Sequence, residues 1–259
     1  MGIINATPDS FFEGSRVNSA EAILSAATKM IKEGAEILDV GGYSSRPGAA
    51  DVSITEECER VQNAIQIIRS QFPNILISVD TFRAKVAAAG FEAGANIVND
   101  ISGGKLDDKM FQTVAELNMP YIMMHMKGSP QTMSSETEYE HLVKDINYYF
   151  SEQIFQARQA GIKDIIIDPG FGFAKSIEQN FELMQKLDLL QLHDCPILVG
   201  ISRKSMIYKS LGITAQEALN GTSVLNGYAL EKGAMILRVH DVKEAVEAVQ
   251  LHSLIHCAE

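Results

Sequence analysis

The sequence predicts a single (β/α)8 TIM barrel, an α/β fold in which eight parallel strands close into a ring inside a layer of helices. Three observations carry that expectation. Short β-rich runs alternate with longer amphipathic helical segments, the pattern of serial βαβ units. Eight such units follow one another with no break in composition, no linker and no low-complexity tract. The chain has 259 residues, and barrels of this kind commonly occupy about 250 residues as one domain. A doubly wound open sheet is the competing architecture, but such sheets usually have fewer strands and need no eighth return strand. Residues 1–259 are accordingly read as one domain.

Taken in order, the strands fall at Met1–Asn5, Ile37–Val40, Ile75–Asp80, Ile97–Asn99, Tyr121–His125, Ile165–Asp168, Pro196–Gly200 and Met235–Val239. The segments between them have helical periodicity. In Ser19–Glu33, residues Ile23, Ala26, Ala27, Met30 and Ile31 share one face, as core-facing helical positions do. Asn18 is placed to cap this helix with Glu21 as its capping-box partner, and Ser53 with Glu56 repeats the device before the second helix. The longest irregular stretch, Met126–Tyr139, is rich in Ser, Thr and Pro and follows the fifth strand. The last helix, Val242–His256, carries apolar residues at Val246, Val249, Leu251, Leu254 and Ile255.

Composition excludes several function classes. Hydrophobic residues make up 46% of the chain, enough for a large core, yet no apolar run approaches the ~20 residues that span a bilayer. The first residues, Met1–Ser10, show neither the positive n-region nor the small-residue cleavage site after an apolar stretch that mark a signal peptide. A net charge of −11 argues against nucleic acid as a partner, since affinity there rests on neutralising phosphates. Cys58, Cys195 and Cys257 are odd in number and far apart, which fits neither a disulfide framework nor a zinc site and is consistent with a cytoplasmic protein.

The strands are apolar along most of their length and end in polar groups: Asn5, Asp39, Asp80, Asn99, His125, Asp168, and Arg238 with His240. In a barrel these ends converge on the face where active sites are built, so together they line one concave polar pocket. Arg46, Lys175, Arg203, Lys204, Arg238 and His240 also follow strand ends, and that many cations on one rim of an acidic chain point to an anionic ligand. Beside them lie Gly- and Ser-rich turns, including 41–48, 102–104 and 200–205, which permit close backbone approach to an anion. Neither a GxGxxG fingerprint nor a P-loop is present.

Eight segments carry a resemblance. They are 1–11 (MGIINATPDSF), 39–49 (DVGGYSSRPGA), 79–81 (VDT), 99–103 (NDISG), 124–128 (MHMKG), 168–173 (DPGFGF), 202–205 (SRKS) and 238–242 (RVHDV). In this order, over almost the whole chain, they resemble the motifs of the dihydropteroate synthases. That resemblance implies a homodimeric, Mg2+-using barrel transferase of folate biosynthesis. Its substrates are a pterin pyrophosphate and p-aminobenzoate, and sulfonamides are its inhibitors. Carried over motif by motif, Asp80, Asn99, Asp168 and Lys204 hold the pterin ring. Arg238 lies flat against the ring, and with His240 it meets the pyrophosphate. Asn5 ligates magnesium. Ser45, Pro47, Phe173, Lys204 and Ser205 form the p-aminobenzoate side, with Ser205 at a helix start suited to a carboxylate, and Arg46 between Ser45 and Pro47 is a further substrate-binding residue. The loops Ala6–Ser15 and Gly42–Ala50 close over the second substrate, with Asp9 and Arg46 as an ion pair on closure. The implied chemistry is loss of pyrophosphate to give a stabilised cation, with Asp80, Asp168, Lys204, Arg238 and His240 as the catalytic set and no nucleophilic residue.

The chain departs from the family pattern at three places. Tyr43 stands where Glu is usual, Ser45 where Thr is frequent, and the first strand begins at Met1 without the short preceding segment common in the family. Two rivals share part of the motif set: a methyltetrahydrofolate–corrinoid methyltransferase, which would not need residues 202–205 and 238–240, and a non-catalytic pterin-binding protein, which would be expected to lose Asn5, Arg238 or His240.

Overall fold

The computed structural model describes residues 1–6, 16–43, 52–128 and 136–256. Its strands are β1 (Gly2–Asn5), β2 (Ile37–Gly41), β3 (Leu76–Asp80), β4 (Ile97–Asp100), β5 (Tyr121–Met124), β6 (Ile165–Asp168), β7 (Ile197–Val199) and β8 (Ala234–Leu237). They form one eight-stranded parallel sheet in sequential order. The ring closes between its first and last members. Gly2 bridges Val239 in parallel, Ile3 N donates to the Val239 carbonyl over 3.1 Å, and Val239 N donates to the Met1 carbonyl over 2.9 Å. The barrel expectation is thereby met.

The helices are α1 (Arg16–Lys32), α2 (Ile54–Gln71), α3 (Ala84–Ala93), α4 (Met110–Glu116), α5 (Leu142–Ala160), α6 (Ile177–Gln185), α7 (Ser205–Leu211), α8 (Leu219–Glu231) and α9 (Val242–His256), with a 3-10 helix at Leu187–His193. They pack their apolar faces on the sheet. Ile23 and Ala27 of α1 are buried as the periodicity requires. Asn18, however, lies inside α1 rather than at its cap, because that helix starts at Arg16. Ser53 does cap α2 by accepting from Glu56 N. The reciprocal half expected of Glu56 goes elsewhere, since its carboxylate accepts from Arg60 one turn on. A complete capping box instead opens α6, between Ser176 and Gln179, the S-x-x-Q spacing of that motif.

Alternation along the strands positions the site. Ile97, Ile122 and Leu198, with Met1, Ile37, Ile166 and Ile236, form an apolar cluster separate from the large layer between sheet and helices. Residues two apart on a strand face the same side. One step further toward the C-terminal end, that same side therefore carries Asp39 after Ile37, Asn99 after Ile97, Asp168 after Ile166, Gly200 after Leu198 and Arg238 after Ile236. On β3, Asp80 follows the buried Ser78. An apolar floor thus lies directly beneath a polar layer, both drawn from the same strands.

Candidate active site

Two linked groups make up the polar layer. In the first, Arg238 spans the barrel mouth. Its Nε donates to Asp39 Oδ2 over 2.6 Å and its Nη2 to Asp80 Oδ2 over 2.8 Å. Asn99 Nδ2 also donates to Asp39 Oδ2, over 3.0 Å. Asp39 is wholly buried, and its other carboxylate oxygen finds no partner among the described residues. Sequence reading placed Asp39 merely at a strand end. It sits mid-strand in β2, and it joins the pterin-ring and pyrophosphate candidates into one unit.

In the second group Asp168, at the end of β6, accepts from Gly170 N over 2.8 Å. Lys204 Nζ donates to the Phe171 carbonyl and lies 4.6 Å from the centre of the Phe173 ring. Gly200 passes between the groups. A Cβ there would stand 3.7 Å from Arg238 Cβ and 4.0 Å from Asp168 Oδ2, so a larger residue would intrude on both.

Burial governs the electrostatics. Desolvation, together with the like charge of Asp39, raises Asp80 to about 7 against the pull of Arg238. Desolvation also raises Asp168, opposed by Lys204 and the Gly170 N–H. Lys204 is lowered to about 8 by desolvation, although Asp168 resists. Burial alone would lower Arg238, but Asp39 and Asp80 together raise it, so its charge is secure. The result is a cleft whose carboxyl groups hold protons more readily than usual and whose lysine holds its own less tightly.

Behind the second group lies a device that sequence reading missed. Lys175 and His125 appeared among the pocket-lining polar groups, but both are buried. Lys175 Nζ meets His125 Nδ1, the Gly170 carbonyl and the Phe173 carbonyl, each at 3.0 Å. It therefore ties the loop bearing Phe171 and Phe173 to the end of β5. The same loop turns at Gly170, where φ is +70° and a Cβ would lie 2.1 Å from the His125 carbonyl oxygen. Gly170→Ala is expected to cost more than the ~1–3 kcal/mol of a non-glycine residue in that region, because the clash adds to the strain. A chemical melt within ~0.5 kcal/mol of the parent would refute this, since that is the range of an ordinary surface change.

Other candidates settle differently. Arg203 is not a rim cation: it pairs Asp241 through Nε and Nη2, each at 2.8 Å, and donates to the Ala215 carbonyl. The turn at 102–104 does not offer its amides to a ligand, because the Asp100 carboxylate already accepts from Ser102 N and Gly104 N. His240 stands beside Ser202, its Nδ1 3.0 Å from the hydroxyl oxygen. Ser205 is the first residue of α7, next to Lys204. Asn5 ends β1, half-buried, and its side-chain amide has no hydrogen-bond partner among the described residues. Asp9, Ser45, Arg46 and Pro47 lie outside the described residues.

A family model for pterin binding enzymes matches residues 1–240. The dihydropteroate synthase of Escherichia coli (strain K12) is 42% identical over 253 residues, covering 97% of this chain and 89% of that one. The chain belongs to the dihydropteroate synthases. It is accordingly a transferase, and the methyltransferase and non-catalytic rivals lose their footing. Solved members of the family share its shape. A Xanthomonas albilineans dihydropteroate synthase with 4-aminobenzoic acid superposes with a TM-score of 0.92 at 36% identity, over 99% of this chain and 92% of that one. A Yersinia pestis dihydropteroate synthase with a sulfonamide drug complex superposes at 0.92 and 37% identity, over 100% and 93%.

Within this synthase frame the departure at Tyr43 gains a physical reading. Its ring meets Phe82 edge-on with centroids 5.2 Å apart, and the Arg83 guanidinium lies 5.3 Å from its centre. Arg83 is itself held by the buried Glu57, with Nη1 donating over 2.7 Å to Oε2, while Thr81 donates to Oε1 over 2.7 Å. Tyr43 thus presents an aromatic face to a cation already paired with Glu57.

Proposed function

We propose that the chain condenses 6-hydroxymethyl-7,8-dihydropterin pyrophosphate with p-aminobenzoate, yielding 7,8-dihydropteroate and pyrophosphate in folate biosynthesis. The observation that carries this reading is the inward-facing polar layer, in which Arg238 joins Asp39 and Asp80, Asn99 and Asp168 stand near the ends of β4 and β6, and Lys204 precedes α7 in the loop after β7. A pterin offers an aminopyrimidinone edge rich in donors, which carboxylates accept. Asp80 and Asp168 take that edge, Asn99 both donates and accepts, and Lys204 donates to a ring carbonyl or nitrogen. Arg238, gripped along its edge by two carboxylates, leaves a flat face for stacking.

The methylene C–O bond breaks with its electron pair leaving on pyrophosphate. The resulting cation is stabilised by Asp80 and Asp168, and the departing charge by Arg238 and His240. The aniline nitrogen then forms the new C–N bond and loses a proton. Phe173, Lys204 and Ser205, with Ser45, Arg46 and Pro47, form the side that receives p-aminobenzoate, where sulfonamides compete. The Asn5 amide, without a hydrogen-bond partner among the described residues, suits Mg2+, a cation that keeps several waters and takes substrate phosphates as further ligands. When bound, Mg2+ neutralises charge on the leaving group. Residues 1–259 act as one barrel unit. No helix among the described residues is long and apolar enough to cross a membrane, and we place the enzyme in the cytoplasm. Exposed Leu251, Leu254 and Ile255 on α9 suit a homodimer better than the buried role open to them from sequence.

The deciding experiment incubates the purified chain with Mg2+, the pterin pyrophosphate and labelled p-aminobenzoate. Labelled dihydropteroate that disappears with EDTA is expected; its absence under saturating substrates sinks the reading. The pH dependence should be distinctive. Asp80 must be ionised to accept from the pterin, and Lys204 must be protonated to donate. Hence kcat/KM for the pterin substrate should rise as pH passes about 7 and fall as it passes about 8. Asp80→Asn should erase the rising limb. A profile that is flat from pH 6 to 9, or a rising limb that survives in the variant, contradicts this assignment.

A further inference from the structure

We propose that Glu231, His252 and His256 form a binding site for a divalent transition ion of the zinc class, remote from the catalytic mouth. His252 and His256 are four residues apart on α9, so both imidazoles stand on one helix face, the spacing by which helical histidine pairs chelate zinc. Glu231 is the last residue of α8 and reaches the same point. Its Oε2 lies 3.0 Å from His256 Nε2 and 3.8 Å from His252 Nε2, the two imidazole centroids are 4.4 Å apart, and the three ligand atoms all fall within 4.8 Å of one another.

Zinc bonds of ~2.0–2.2 Å in a tetrahedron put neighbouring ligand atoms ~3.3 Å apart. The carboxylate–imidazole spacings bracket that value, so small side-chain rotations complete the geometry. Two neutral imidazoles and one carboxylate are a borderline donor set that favours Zn2+, Cu2+ or Ni2+ over Mg2+. The nearby cation does not oppose it, because Lys232 is turned aside to Asp188. A fourth position is left for water.

The place in the fold separates this site from the chemistry. Chain direction sets α8 running toward the start of β8 and α9 running away from its end. Glu231 and His256 therefore sit near the N-terminal end of the barrel, opposite the polar layer. A bound ion would tie the last turn of α9 to the end of α8.

The test is isothermal titration of Zn2+ into the tag-free chain with Mg2+ in excess, so that the catalytic ion is already satisfied. A Cys257→Ser background removes the thiol adjacent in sequence to His256. One ion per chain is expected. His252→Ala and His256→Ala should each weaken it by at least the ~10–100-fold that loss of an outer-shell partner costs at a metal site, with the far-UV dichroism of the parent retained. Zn2+ should also raise the melting temperature of the parent and leave that of the doubly substituted chain unchanged. No binding in the Cys257→Ser chain, or equal affinity in the histidine variants, overturns the proposal.

Discussion

Replacing Arg238 with leucine is expected to destabilise the protein by ~3–5 kcal/mol and to abolish turnover, because it strips the shared counter-ion from two carboxylates. Asp39 is fully buried, and among the described residues its partners are Arg238 and Asn99. Among the described residues Asp80 has Arg238 as its side-chain partner, and it already holds its proton up to about 7 with the guanidinium in place. Removing one member of a buried ion pair leaves the desolvation cost of the other uncompensated, and that cost exceeds the Coulombic gain that was lost. A urea melt of the single variant measures the loss. The cause is isolated by adding Asp39→Asn, which removes the stranded charge while keeping the shape. The double variant should recover a large part of the stability and none of the activity. If the double variant is as unstable as the single one, the lost packing of the arginine stem is responsible and the ion-pair account fails.

The barrel was legible because its signal repeats. Parallel strands covered on both faces read as short apolar runs, and Ile165–Ile167 or Tyr121–Met124 can hardly be read otherwise. Strand ends were less legible, since hydrogen bonding rather than composition decides them: β5 stops at Met124, before His125, and β4 continues through Asp100. The site was legible as a set of positions but not as a set of partners. Asp80, Asn99, Asp168 and Arg238 stand at or next to strand ends, and Lys204 in the loop after β7, all on the C-terminal side of the barrel. Asp39 was undervalued because its role depends on Arg238, 199 positions away. Arg203 was overvalued for the matching reason. A cation's spacing from a strand end does not reveal that an aspartate 38 positions on has already claimed it. Lys175 followed the same rule, since its burial is a tertiary fact.

Lys204→Ala should lower kcat/KM for the pterin substrate by ~10²–10³, the usual loss when one prepositioned electrostatic contact is removed, while changing stability far less than Arg238→Leu does. Lys204 is anchored from below by α7, whose first residue is Ser205, and its ammonium group touches one backbone carbonyl, that of Phe171, and the face of Phe173. Deleting it takes one counter-charge from the buried Asp168, but that carboxylate keeps the Gly170 N–H and the positive charges of Arg238 and Lys175, so less is stranded than loss of Arg238 would leave. Methionine at the same position retains the stem and removes only the ammonium, so it separates charge from packing. If the donor is what the pterin uses, Lys204→Met and Lys204→Ala should be equally slow. If the stem, which passes beside Gly172, shapes the p-aminobenzoate side, Lys204→Met should restore KM for p-aminobenzoate toward the parent value. Wild-type kcat/KM in Lys204→Met would remove the ammonium from the mechanism, leaving Asp80, Asp168 and Asn99 to hold the ring without it.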